Sequence, residues 1–162
     1  MAAQQQKESA SGKRGFEDLR FYQEALTLLK ISYELAKSLP SSERYNLADQ
    51  TRRAALSVTN NIAEGYGRYH FADRIKFLFI ARGSLDETLS CFIAAHAVGY
   101  CSQEQVNETR ELVHRIQRGL NGYVSYIRRQ QQGADLFGKT VLRESPPTYL
   151  VSTEFTPQED TL

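Results

Sequence analysis

Arginine, lysine and tyrosine side chains carry most of the chemical potential of this 162-residue chain. What they offer is a grip on phosphate and a platform for bases. Arg68, Arg74 and Lys76 surround the segment Gly65-Tyr66-Gly67, and Arg128 and Arg129 close the last strongly periodic stretch. Arg52 projects away from its neighbour Arg53, because consecutive helical residues do not share a face. Tyr66, Tyr69 and Tyr126 lie among these charges. A cation on a phosphate displaces condensed counterions, and a tyrosine ring stacks on an unpaired base. Arg52, Arg68, Arg74, Lys76, Arg128 and Arg129 are therefore the candidate nucleic-acid contacts, with Lys13, Arg14, Arg20, Arg115 and Arg118 as further basic residues. One such patch is weak. Several copies in a ring would add their contacts, so the nucleic-acid reading is conditional on oligomerisation.

A second set of polar residues reads as architecture. Arg53, Ser57, Asn60 and Glu64 follow at helical steps of four, three and four, beside an apolar face. Arg82 falls inside the apolar seam of the next helix, where an unpaired charge would cost several kcal/mol. Glu64 and Glu87 are its expected partners, with Asn60 or Asn61 adding side-chain hydrogen bonds. Arg53, Asn60, Asn61, Glu64 and Arg82 are thus expected to form a polar network that fixes helix register or joins identical subunits.

Other chemistries are excluded or unsupported. Glu64-Gly65-Tyr66-Gly67-Arg68 lacks the third glycine and the preceding strand of a nucleotide-binding turn. It reads as a helix end, with Gly65 or Gly67 as the left-handed cap. His70, His96 and His114 have no metal-site spacing, and His96 is expected to be a hydrogen-bonded core residue. No convergent reactive groups point to an enzyme, and no cofactor or metal is implied. Cys91 and Cys101 do not make a disulfide framework; free, reduced thiols are expected, Cys91 acting as a small buried hydrophobe.

The elements that must position these residues are helices. The first runs from about Phe16 to Leu39, with Leu19, Tyr22, Leu26, Leu29, Tyr33 and Ala36 at alternating steps of three and four. Pro40 stops it. Ser41 and Ser42 cap a second helix, with Glu43 in its first turn; it buries Leu47, Ala54, Val58 and Ile62. A third helix, about Phe71 to Val98, repeats every seven residues: Phe71, Leu78, Leu85 and Phe92 in one row, Ile75, Arg82, Leu89 and His96 in the other. Gly99 closes it. Ser102 and Gln105 form a capping box for a fourth helix through Val106, Thr109, Val113, Ile116, Leu120, Tyr123 and Ile127. The predicted fold is all-α: an antiparallel, up-down-up-down four-helix bundle over 15–130. Residues 1–14 are read as a disordered segment and 131–162 as a flexible acidic tail.

The formal charge of +1 conceals an asymmetry. Between Lys13 and Arg129 there are 17 Lys+Arg against 13 Asp+Glu; from Gln130 onward there are 2 against 5. The body is mildly basic and the tail acidic. No signal-peptide core or run of roughly 20 apolar residues occurs, so a soluble cytoplasmic protein with no membrane role is expected.

Several ordered segments identify a resemblance. They are Phe16-Glu17-Asp18-Leu19, Leu39-Pro40, Glu43-Arg44-Tyr45-Asn46-Leu47, Gln50-Thr51-Arg52-Arg53-Ala54-Ala55, the run from Asn61 to Arg68 and that from Phe77 to Glu87. Over about 14–129 the chain resembles bacterial four-helix-bundle proteins encoded in intervening sequences of 23S ribosomal RNA genes. The accessory variability proteins of diversity-generating retroelements look like relatives. This resemblance implies a homo-oligomer, a homopentameric ring, with no catalytic activity. It implies structured RNA, such as ribosomal RNA, or a reverse transcriptase as partner. The alternative is a structural oligomer or protein-binding scaffold without a nucleic-acid role. Val58-Thr59-Asn60 replaces an isoleucine-proline pair of many relatives, which predicts a straighter second helix.

Overall fold

The computed structural model describes residues 15–134; the readings of the N-terminal segment and of the tail beyond Ala134 lie outside them. A short 3-10 turn, Phe16–Asp18, precedes α1 (Arg20–Ser38). A second 3-10 turn, Ser41–Glu43, precedes α2 (Leu47–Gly67), followed by α3 (Phe71–Ala97) and α4 (Gln103–Ala134). The protein is an all-α, four-helix bundle. Helix α4 reaches four residues past the predicted boundary, carried by a polar Gln-rich run that retains good helix propensity.

Neighbouring helices pair antiparallel. Gln50 meets Glu87 and Ser57 meets Ser84 between α2 and α3. Arg82 meets Asn121 and Asp86 meets Gln117 between α3 and α4, and Glu24 faces Arg115 between α1 and α4. The main core joins Phe21, Leu28, Val58, Ile62, Leu78, Leu85, Ile116 and Leu120; a smaller one gathers Leu35, Leu39, Ala48, Phe92 and Val106 near the opposite end.

Small side chains bring α2 and α3 close together. A Cβ on Gly65 would lie 3.1 Å from the Arg74 carbonyl oxygen and 3.2 Å from Phe77 Cβ. Gly65 therefore serves close approach inside a continuous helix, and the predicted left-handed cap at Gly65 or Gly67 does not form: both lie within α2, which exits through extended Arg68. Among the described residues the left-handed glycine is Gly99, φ 83°, closing α3 as predicted. The buried hydroxyls of this interface bond within their own helices, Thr51 to Leu47 O at 2.6 Å and Thr88 to Ser84 O at 2.7 Å, so neither needs a partner across it. Among the described residues no buried side-chain nitrogen or oxygen is left unsatisfied.

Two local readings change and a third holds. The buried face of α1 is Phe21, Ala25, Leu28, Ser32, Leu35 and Ala36; of the predicted stripe Ala36 is buried, while Leu19, Tyr22, Leu26 and Leu29 flank the buried face and Tyr33 is exposed. Both stripes have helical spacing, and only the partner helices choose between them. The start of α2 is held by Glu43 rather than Ser41 or Ser42: its carboxylate accepts from Asn46 Nδ2 at 2.9 Å and from the Leu47 amide at 3.4 Å. The Ser102–Gln105 capping box forms reciprocally, with bonds of 2.8 and 3.2 Å.

Candidate nucleic-acid interface

The end of the bundle holding the α2–α3 turn also holds the start of α1 and the last turns of α4. Phe16 packs edge-on against Tyr22 and Tyr66, with ring centroids 5.0 and 6.2 Å apart. Phe21 lies 5.6 Å from Tyr123, and Tyr123 stacks on Tyr126 at 6.1 Å with planes 16° apart. This aromatic cluster ties three helices together. Its outer member Tyr126 is 50% exposed, and nearby Tyr69, whose ring meets His70 edge-on, is 89% exposed. Burial raises the Tyr123 hydroxyl above its usual pKa, opposed by the nearby positive charge of Arg74 and reinforced by Tyr66 and Tyr126.

Five of the six predicted basic contacts gather here. The Arg68 guanidinium covers the Phe77 ring at 4.7 Å and pairs with Glu64 one turn earlier. Arg74 donates from Nε to the Arg68 carbonyl at 2.6 Å and lies 5.9 Å from the Phe71 centroid. Lys76 follows on the exposed side of α3. The register that sets Arg82 opposite Asn121 brings Arg128 and Arg129 level with Ile75 and Arg74, and both are exposed. Glu17, Asp18 and Asp73 lie near the same end, so the field is locally positive but mixed. Arg52 stands apart. It lies 16 residues before Arg68 on α2, roughly 24 Å along the helix, where it contacts the Arg44 carbonyl and Asp49.

The predicted polar network divides into local pairs. Arg53 bonds Gln50 at 2.7 Å and Asp49 at 3.4 Å. Asn61 donates to Ser57, whose hydroxyl contacts Ser84 at 2.8 Å across α2 and α3. Asn60 and Glu64 line a shallow, open depression on the outside of α2. Arg82 is not buried: it is exposed on the edge of α3 facing α4, 3.5 Å from Asn121 Oδ1. Ile75 and Leu89 of the same row pack partly buried against the core, so Arg82 alone of this row is exposed, while Leu78, Leu85 and Phe92 of the other row are buried. Glu87, freed of that pairing, accepts from Gln50.

The described residues contain no cluster of three or more His, Cys, Asp or Glu placed to hold a metal. His96 Nδ1 lies 2.9 Å from the Cys101 carbonyl, a structural bond. Cys91 and Cys101 are free. Burial raises both thiols above the usual pKa; at Cys91 a Thr51 hydrogen bond opposes the shift and Glu87 reinforces it. No helix among these residues is long and apolar enough to cross a membrane.

The reading by residue type missed a different surface. Phe79, Ile80 and Ile93 on the outer side of α3 are 41–45% exposed, and Gly83 between them has open space where a Cβ would stand. Leu56 of α2 is also exposed. The available signal was the presence of Phe79, Ile80 and Ile93 outside the two apolar rows of α3.

The model of the 23S rRNA-intervening sequence protein family matches residues 17–122. A solved structure from Bacteroides thetaiotaomicron, described as a protein of unknown function from the S23 ribosomal protein family, superposes with a TM-score of 0.60. The identity is 22%, over 65% of this chain and 95% of that one. No curated protein matches.

Proposed function

The chain belongs to the 23S rRNA-intervening sequence protein family, and on that footing we propose a non-enzymatic, self-assembling bundle that binds structured RNA or a ribonucleoprotein partner. The observation carrying the RNA reading is the gathering of Arg68, Arg74, Lys76, Arg128 and Arg129 with Tyr69 and Tyr126 at one end. Assembly is supported by α3, whose outer face keeps Phe79, Ile80, Gly83 and Ile93 in water. Large apolar side chains left in water outside the core rows are the kind of surface a protein contact uses. Copies joined through α3 would present several basic ends together, multiplying phosphate contacts that one weakly charged copy cannot supply. A homopentamer and a ribosomal RNA or reverse transcriptase partner are the finer forms of this reading, taken from the family likeness.

Reversing Arg128 and Arg129 to Glu tests it. A gel shift with a folded RNA at low salt should show strongly reduced retention while the mass of the assembly stays unchanged; equal retention would contradict the role given to this end. A second reading, an oligomeric scaffold with no nucleic-acid role, is favoured by the same α3 face and by the pairing of Arg68 with Glu64. It predicts an oligomer that never retains RNA at any salt.

A further inference from the structure

The α1–α4 groove, away from the exposed strip of α3, carries chemistry of its own. Its floor is Phe21 and Gly119, and its rim is Arg20, Glu24, Arg115 and Arg118. Gly119 makes this floor possible: a Cβ there would lie 2.5 Å from Phe21 Cβ. Glu24 receives Arg20 at 3.5 Å and Arg115 at 3.9 Å, so one carboxylate holds two guanidiniums at the rim. Glu111 stands exposed one turn before Arg115. Toward the C-terminal end the groove leads to Tyr123, stacked under half-exposed Tyr126. On the outward side of α4, Gly122 and Ser125 leave low relief between Arg118 and Arg129, a stretch of roughly 16 Å at helical rise.

We propose that this groove and the adjoining face of α4 bind an unpaired stretch of RNA, with its phosphates on Arg115 and Arg118 and a base stacked on Tyr126. The assignment rests on the RNA-binding reading above and names the part of the RNA that this protein takes. Two magnitudes decide for single strands over duplex. Three arginines against Glu24 leave a net charge near +2, little against a duplex bearing one charge per roughly 1.7 Å. Base–aromatic stacking contributes about 1–3 kcal/mol per base irrespective of sequence, but only where the base is unpaired and its face free. Tyr126 presents such a ring, and Tyr123 behind it fixes its orientation without burying it.

The test is fluorescence anisotropy on the full chain, with labelled single-stranded RNA and a duplex of equal length. The single strand should bind more tightly. Tyr126→Ala should weaken it by roughly 5- to 150-fold, the equivalent of about 1–3 kcal/mol, and Tyr126→Phe should restore it. Arg118→Gln should flatten the logarithmic salt dependence by about 0.7. Both sites are exposed, and an unchanged melting temperature separates loss of binding from loss of fold. Equal binding of duplex and single strand, with Tyr126→Ala behaving as the parent, overturns this assignment; if the Arg128/Arg129 reversal still weakens binding, the broader RNA reading survives. Binding of neither RNA overturns both. Polyglutamate binding in place of RNA overturns both in favour of an acidic protein partner.

Discussion

Helices α3 and α4 are neighbours of similar length, yet they treat solvent in opposite ways. Helix α4 buries Val106, Val113, Ile116, Leu120 and Ile127 on one stripe and presents arginines, glutamines and Tyr126 on the other. Helix α3 buries Leu78, Leu85 and Phe92 toward the core and then leaves Phe79, Ile80 and Ile93 outside. Tertiary packing within one copy explains all of α4 and half of α3. In the proposed assembly a further copy would cover the remaining half and leave α4 as the outward, polyanion-facing side.

The largest effect should come from charging the apolar side. Ile80→Glu combined with Ile93→Glu is expected to dissolve the assembly into monomers in size-exclusion chromatography with light scattering, with helicity retained. Arg118→Glu on α4 should leave the assembly intact. Dissociation by the α4 change alone would reverse the roles assigned to the two faces.

Glycines sharpen the contrast within a single fold. Gly119→Ala drives a Cβ onto Phe21, and overpacking of this kind destabilises by about 1–3 kcal/mol. Gly83→Ala meets nothing in one copy, so helix propensity alone predicts a gain of up to about 1 kcal/mol in a dissociated background. Urea titration of both variants in the Ile80/Ile93 background checks this. A large loss at Gly83 there would mean that its space is filled within the monomer.

A smaller effect is expected at the basic end. Neutralising Arg128 or Arg129 with Gln should reduce the logarithmic salt slope by about 0.7–0.9 for each phosphate no longer held, measurable by titrating RNA binding against potassium chloride. An unaltered slope would remove these two residues from the interface.

The smallest test concerns the inner side of α3 and the turn that follows it. Cys91 and Cys101 have raised thiol pKa values because burial disfavours the thiolate, the nucleophilic form. Iodoacetamide at neutral pH should therefore label both more slowly than a free cysteine, and at the ordinary rate in denaturant. Rapid labelling of Cys91 in the native protein would show that the α2–α3 contact opens.

Much of this architecture was legible in the chain. The row Phe71, Leu78, Leu85 and Phe92 defines the α3 core, and Ser102 with Gln105 marks the start of α4, because periodicity and capping are local properties. Gly65 reads from the sequence as a helix cap, because its actual use depends on where Arg74 and Phe77 arrive from a separate helix. Arg82 was misplaced for a related reason: spacing gives the stripe, but the partner helices decide which edge is covered. The cations around Gly65–Gly67 could be named from sequence, whereas their meeting with Arg128 and Arg129 required the antiparallel register. Tyr123 escaped notice as a site residue because it reads as one more core position.

Multi-angle light scattering of the purified chain across micromolar dilution bears most directly on the assembly of copies through α3. The account predicts a stable mass at an integral multiple of 18.4 kDa, lost on charging Ile80 and Ile93. A parent protein that stays at 18.4 kDa throughout would contradict it.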